Sequence, residues 1–316
     1  MTTQLPKIAI LDDYQGAALD LADWSVLNGR ADITVFRDHL SDPAAVIARL
    51  QPFDAVCVMR ERTPLPRAIL TELPRLRLIV STGARNASID LDATRELGIT
   101  VCNTGGGGNG TLELTWGLIL TALRHLQAET TSVRAGGWQV AVGGDLVGKT
   151  LGIVGLGRIG SGVARVAQAF EMDVVAWSPN LTQEKAAAAG ARLVSKAELF
   201  RTADIVTIHI VLSDRTRGLI GAEDLALMKP TSWLVNTSRG PLVHEAALVE
   251  ALQERRLAGA ALDVFATEPL PAGHPLRTLP NVVATGHIGF VTEASYRVFY
   301  QDTVQCLVNW LDGQRQ

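Results

Sequence analysis

Short apolar runs separated by amphipathic or turn-forming stretches recur along most of the chain. In the first hundred residues "KIAIL", "ITVF", "DAVCVM", "LRLIV" and "GITVC" are apolar at nearly every position and have strand length, the pattern of buried strands. Amphipathic stretches lie between them, and this alternation predicts a parallel sheet covered by helices. One helix start is spelled out: "SDPAAVIARL" offers Ser41 or Asp42 as cap and Pro43 in the first turn.

The series breaks at "NTGGGGNG", Asn103 to Gly110, whose five glycines predict a loop and a domain crossing. An apolar helix over about 111–126 follows. From Thr150 a second series begins, with strands predicted in "TLGIVG", "DVVAW", "DIVTIHI", "SWLVNTS", "GAALDV" and "NVVAT", and helices in "SGVARVAQAF", "EKAAAA" and "HEAALVEALQERRL". Six strands with helices between them are what a full doubly wound dinucleotide-binding fold requires. The tail, about 292–311, has apolar and aromatic residues at helical spacing and is expected to return to the first domain. The predicted class is α/β with two doubly wound parallel-sheet domains: a discontinuous substrate domain of residues 1–104 and 291–316, and an inserted cofactor domain of residues 105–290.

Composition removes alternatives. The 316 residues are 47% hydrophobic and 19% charged, with formal net charge -3 and no basic block, so a nucleic-acid partner is not expected. The start "MTTQLPKIAILDD" lacks the apolar core of a signal peptide, and no run approaches the ~18 apolar residues of a membrane span. No membrane association and a cytoplasmic location are expected. Cys57, Cys102 and Cys306 are odd in number and far apart, which argues against a disulfide frame or a metal site and predicts three buried small hydrophobes.

Two glycine patterns compete within "GGDLVGKTLGIVGLGRIG". Gly143 to Thr150 matches the P-loop pattern, but Lys149 precedes an apolar strand-like run instead of opening a helix, so the match is coincidental. Gly155, Gly157 and Gly160 follow a predicted strand and open a predicted helix, the context of a dinucleotide-binding turn. Gly155 permits the tight turn, Gly157 lets a pyrophosphate approach the backbone, and Gly160 lets helix and strand pack closely. Ser178 stands where a carboxylate would bond the ribose of NAD and repel a 2′-phosphate. NAD is the expected cofactor, with NADP as the alternative.

The chemistry is sought where open α/β sheets place their ligands, beyond the carboxyl ends of strands. "VNTSRGPLVHE" carries Arg239, "LDVFATEPLP" carries Glu268 and "ATGHIGF" carries His287. A guanidinium suits a carboxylate, and an imidazole with a carboxylate beside it suits proton transfer coupled to hydride transfer. Each residue alone also has a bland reading: a surface ion pair, a solvated loop charge, an interface histidine.

These segments, with the glycine-rich crossing and "STGARNASIDLDATRELGITVCNT" upstream, resemble the D-isomer-specific 2-hydroxyacid dehydrogenases over about residues 5–312. The resemblance implies a Rossmann cofactor domain inserted in a flavodoxin-like substrate domain. It implies an oxidoreductase moving a hydride between NAD(P) and the C-2 position of a small D-2-hydroxy acid or 2-keto acid, such as glyoxylate, hydroxypyruvate or phosphoglycerate. It implies that Arg239 binds the substrate carboxylate and carbonyl, that His287 exchanges the hydroxyl proton, and that Glu268 pairs with His287 to hold it as the acid. By the same matching Arg158 and Ile159 approach the pyrophosphate, Ile210, Thr237, Ser238 and Gly289 line the cofactor pocket, and Asp263 contacts its nicotinamide end. Gly83 and Ala84, with Arg85, match the loop whose amides hold the substrate carboxylate, and the catalytic site is expected between the domains. Arg60 and Arg62, in "MRERTPLP", stand near the expected distal end of the substrate, where they serve a second anionic group or form a solvated charged loop with Glu61.

Three positions depart from the family pattern. Ser178 replaces the usual Asp, Ser88 stands where Asn is common, and Gly286 stands where a Pro usually precedes the histidine. Because the chain ends soon after the returning helix, the regulatory domains of some phosphoglycerate dehydrogenases are expected to be absent. A homodimer is expected, with "LELTWGLILTALRHL" either its surface or buried within the monomer. Two other functions fit the same scaffold: a phosphite-type dehydrogenase, and a non-catalytic NAD(H)-sensing protein like the family's corepressors. Glu268 in place of Gln counts against a formate dehydrogenase.

Overall fold

Why the apolar runs become strands is visible in the computed structural model, which describes residues 4–313. The outermost residues assigned to the first domain, 1–3 and 314–316, lie outside the described residues. The chain divides into two compact units, one of residues 1–108 and 292–316 and one of residues 109–291.

The first unit begins with β1 (Lys7–Ile10), β2 (Asp32–Val35), α1 (Pro43–Leu50), β3 (Ala55–Val58), α2 (Arg67–Leu70), β4 (Leu78–Ser81), α3 (Leu91–Glu96) and β5 (Thr100–Asn103). Its strands form one parallel sheet of order β2-β1-β3-β4-β5, in which β3 and β4 are buried at every position. Burial on both faces is why those strands read as unbroken apolar runs. Asp42 supplies the cap of α1, its carboxylate accepting from the Ala45 amide, with Pro43 as first helical residue.

The second unit opens with α4 (Gly110–Leu123) and α5 (Leu126–Arg134). The single helix expected over 111–126 ends at Leu123, and His125, in a left-handed conformation with φ 50, starts a separate one. There follow β6 (Thr150–Val154), α6 (Arg158–Ala169), β7 (Asp173–Trp177), α7 (Gln183–Ala188), β8 (Arg192–Leu193), α8 (Lys196–Thr202), β9 (Ile205–Ile208), α9 (Ala222–Leu227), β10 (Trp233–Asn236), α10 (Glu245–Gln253), β11 (Gly259–Leu262) and β12 (Val282–Ala284). These seven strands form a parallel sheet of order β12-β11-β10-β9-β6-β7-β8, one strand more than expected because the two-residue β8 carries too little pattern. The order reverses between β6 and β9, the switch point at which doubly wound sheets bind ligands. Two apolar clusters cover its faces, one built on α8 to α10 and one on α4 and α6. Trp116, Leu118, Ile119, Ala122 and Leu123 of α4 are buried in the second cluster, so this stretch belongs to the interior of the unit.

The last helix, α11 (Glu293–Gly313), packs against β4 in the first unit and buries Tyr296, Phe299, Tyr300 and Leu307. The Asp302 carboxylate accepts from the Gly105 amide, and the Tyr296 hydroxyl donates to Gln15. The cysteine expectation fails here. Cys102 on β5 and Cys306 on α11 form a disulfide across a sequence separation of 204, and only Cys57 is a buried free thiol. Distance along the chain misled because the folded unit brings its two sequence halves together.

Labelling of the purified, unreduced and unfolded protein is therefore expected to find one thiol per chain, Cys57, and three after reduction. Three labelled thiols before reduction would contradict the bond.

Candidate active site

The turn after β6 is built by steric need. Gly155 has φ 99, and a Cβ there would lie 2.8 Å from the His209 backbone. A Cβ on Gly160 would lie 2.2 Å from the Gly155 carbonyl oxygen, so α6 can approach β6 this closely only without one. Gly157 differs: a Cβ there would meet nothing within 4 Å, and it caps α6 from an exposed position. The first turn of this twelve-residue helix, with no side chain capping it, carries the positive end of the helix dipole beside an exposed glycine, which fits a pyrophosphate. Arg158 is exposed beside it, Ile159 is half-buried, and Ser178 follows β7 directly.

The P-loop match has no such setting. Gly143 to Gly148 form no helix, and Lys149 leads into β6 at its amino end.

The other candidate residues emerge from strands β9 to β12. Ile210 follows β9, and its carbonyl accepts the Ser238 hydroxyl at 2.7 Å. Beside it His209 places Nε2 2.9 Å from the Thr207 hydroxyl, and burial pulls this imidazole down to about 3. After β10, the buried Asn236 organises the next turn, accepting from the Ser238 amide and donating to the Arg239 carbonyl. Thr237 is buried and directs its hydroxyl to Thr115 of α4, 2.8 Å away. Arg239 donates to the Ser238 carbonyl. Its neighbour Gly240 lies directly against backbone: a Cβ would lie 1.9 Å from the Phe265 carbonyl carbon. The turn bearing Arg239 is thereby held against the loop that follows β11.

That loop carries Glu268, and the loop after β12 carries His287. Glu268 accepts the Phe265 amide on Oε1 at 2.9 Å and meets His287 Nδ1 with Oε2 at 2.5 Å. A carboxylate only accepts, so Nδ1 carries the hydrogen and Nε2 is the nitrogen left for chemistry. The His287 side chain is 20% exposed, stands edge-on to the Phe290 ring, and sits on a left-handed backbone with φ 55. The buried Asp263 accepts from the Thr285 hydroxyl and from the Ile288 and Gly289 amides. Burial lifts its carboxyl above the usual range against the pull of those three donors. Asn236, His209 and Thr285 are not among the expected site residues: Asn236 and His209 bond to near neighbours without any motif to mark them, and Thr285 acts through Asp263, 22 positions away.

Arg60, Gly83 and Ala84 belong to the first unit. Arg60 has φ 54, donates its amide to the Thr82 hydroxyl, and lays its guanidinium across Gly83. The Gly83 amide donates to the Thr104 hydroxyl, and Ala84 and Arg85 are exposed. Arg62 turns elsewhere, donating to the Asp12 carbonyl and stacking on Tyr14. Ser88 donates to Asn86 Oδ1, and Asn86 in turn donates to the Arg60 carbonyl, so the loop keeps an asparagine anchor two residues earlier than expected. Among the described residues no three His, Cys, Asp or Glu side chains are grouped to hold a metal ion, and no helix is long and apolar enough to cross a membrane.

A doubly wound sheet with a glycine turn at its switch point, and a carboxylate-braced imidazole in a loop on the same edge, has the architecture of a dinucleotide-binding domain. The chain belongs to the D-isomer specific 2-hydroxyacid dehydrogenase family: residues 116–289 match the NAD binding domain of that family. It is 43% identical to the glyoxylate reductase of Aeropyrum pernix over 256 residues, 78% of this chain and 76% of that one. It is 41% identical to the D-3-phosphoglycerate dehydrogenase of Methanocaldococcus jannaschii over 246 residues, 77% of this chain but 47% of that one, so it spans about half the length of that relative. A phosphoglycerate oxidoreductase from Vibrio cholerae O395 superposes with a TM-score of 0.93 at 40% identity, covering 98% of this chain and 100% of that one.

The neutral His209 gives the fold a pH dependence of definite sign. An unfolded imidazole, near 6.5, takes up a proton before the folded one at about 3. Its contribution is complete above pH ~6.5 and declines as pH falls, by up to ~1.4 kcal/mol per pH unit. Urea unfolding between pH 7.5 and 4.5 should show this slope reduced by about one proton in His209→Gln; an unchanged slope would reject it.

Proposed function

We propose that the chain is an NAD-linked oxidoreductase interconverting a small D-2-hydroxy acid and its 2-keto acid, with His287 as acid/base and Arg239 as the carboxylate-binding group. The observation that carries this reading is the Glu268–His287 pair at 2.5 Å, anchored at its far end by the Phe265 amide and set on the same sheet edge as the 155–160 turn. NAD, when bound, supplies or takes the hydride. In reduction, His287 Nε2 donates its proton to the carbonyl oxygen while Glu268 keeps the ring oriented through Nδ1. Arg239 presents a planar fork to the carboxylate. The relatives' names make glyoxylate and phosphoglycerate-type acids the first substrates to try. Ser178 provides no carboxylate against a 2′-phosphate, so the reading admits NADP as well. The cytoplasm is the compartment proposed, one in which the Cys102–Cys306 bond would be exposed to reduction.

A panel of keto acids with NADH and NADPH tests it. Oxidation of a cofactor with at least one keto acid is expected, and His287→Ala should lower kcat by ~10²–10⁴-fold while still binding cofactor. Full turnover in that variant would remove His287 from the mechanism; cofactor binding without turnover on any acid would favour a sensing protein.

We also propose a homodimer formed by the second unit. Helix α5 buries none of its residues, and the segment after it exposes Trp138 by 74% and Val142 by 96%, with Val133, Val140 and Val147 also exposed. Five large apolar side chains exposed within residues 133–147 make the kind of apolar surface that marks a protein–protein contact. Light scattering should give a mass near twice 33.8 kDa, and Trp138→Glu should bring it toward the single-chain value. A wild-type monomer would rule the dimer out.

A further inference from the structure

His287 occupies a backbone conformation that disfavours any side chain, and the same carboxylate reaches both sides of it. Its φ of 55 lies in the left-handed region, which non-glycine residues adopt only when the surroundings hold them there. Asp263 Oδ1 accepts the Thr285 hydroxyl at 2.6 Å and the Ile288 amide at 2.8 Å, and Oδ2 accepts the Gly289 amide at 2.8 Å. These donors lie two residues before the histidine and one and two after it. The sheet sets this bracket up. Leu262 of β11 pairs with Ala284 of β12, so the next residues, Asp263 and Thr285, leave adjacent strands side by side. The Thr285 amide donates to Leu262 and the Asp263 amide to Asn236, fixing both main chains to the sheet.

The two amides are obligatory donors from the turn itself. The Thr285 hydroxyl is the one side-chain donor, and it ties the incoming strand to the anion that holds the outgoing turn.

We infer that Thr285 is a positioning residue for the acid/base histidine, acting through Asp263 to set the left-handed turn from which His287 meets Glu268. This deepens the proposed oxidoreductase reading and rests on it for its kinetic consequence. Without the hydroxyl, Asp263 keeps its two amides but loses its side-chain tie to the incoming strand, so the carboxylate and the turn bonded to it shift together. Misplacement of an acid by a fraction of an ångström to 1 Å lowers turnover by ~10- to ~100-fold without touching the cofactor turn at 155–160.

The test compares Thr285→Val, which keeps shape and removes the donor, with Thr285→Ser, which keeps the donor. Expected are a kcat at least about tenfold lower in the Val variant, a Ser variant within about twofold of wild type in both kcat and NADH Kd, and, because Asp263 and Gly289 border the expected cofactor pocket, an NADH Kd in the Val variant that moves less than kcat does. Nuclear magnetic resonance of the imidazole signals, with His287 assigned through His287→Ala, reads the position without any reaction. The His287 signal should move or broaden in the Val variant and stay in the Ser variant. If Thr285→Val does not fold, Thr285→Ala takes its place in both measurements. The inference is overturned if Thr285→Val retains both wild-type kcat and the wild-type His287 signal, if Ser and Val lose equally, or if the loss lies wholly in the NADH Kd. A wild-type protein inactive on every keto acid would sink the oxidoreductase reading instead, and the resonance comparison would still decide whether Thr285 positions His287.

Discussion

The single direction shared by all strands of the second unit is the constraint on which its chemistry depends. Every loop that follows a strand emerges on one edge, and the register Asn236↔Leu262↔Ala284 starts three of those loops from one line. Arg239, Glu268 and His287 are carried on these three loops. Loops launched side by side can then be locked by short contacts: Gly240 against the Phe265 backbone, Asp263 to Thr285, Glu268 to His287. The same direction disposes of the P-loop match. Lys149 stands at the amino end of β6 and the 155–160 turn at its carboxyl end, roughly 20 Å apart at ~3.3 Å per residue.

What could be read from the sequence followed from how strongly each residue is constrained locally. Strands buried on both faces declare themselves as apolar runs, and the dinucleotide turn declares itself because Gly155 and Gly160 answer distinct local steric demands. Where an element buries little, the pattern vanishes. Helix α5 buries none of its residues, and β8 has two residues, one of them the exposed Arg192. The polar residues that orient the site were hidden for another reason. Thr285 meets an oxygen 22 positions away, Thr115 a hydroxyl 122 positions away, and nothing in their own neighbourhoods marks them off from turn-forming threonines. The resemblance to a family supplied Arg239, Glu268 and His287 as a set, with Glu268 as the brace of His287, but it left out Asn236 and Thr285, which hold the turns that carry them.

The cysteines show the same limit in the first unit, and they bear on how a discontinuous domain stays together. Helix α11 is fastened to it by the Cys102–Cys306 bond, by Asp302 to Gly105, by Tyr296 to Gln15 and by Arg30 to Asp312, all between groups about 200 to 280 positions apart. An intervening stretch of that length looks prohibitive, yet loop-closure entropy grows only as the logarithm of length. Closing a loop of about 200 residues costs only ~1–2 kcal/mol more than closing one of about 40. Burial of Phe299, Tyr300 and Leu307 at ~1.5–3 kcal/mol each exceeds that difference before any polar or covalent tie is counted. The inserted unit therefore interrupts the first in sequence without weakening it much in free energy, and distance along the chain is a poor guide to which of its side chains meet.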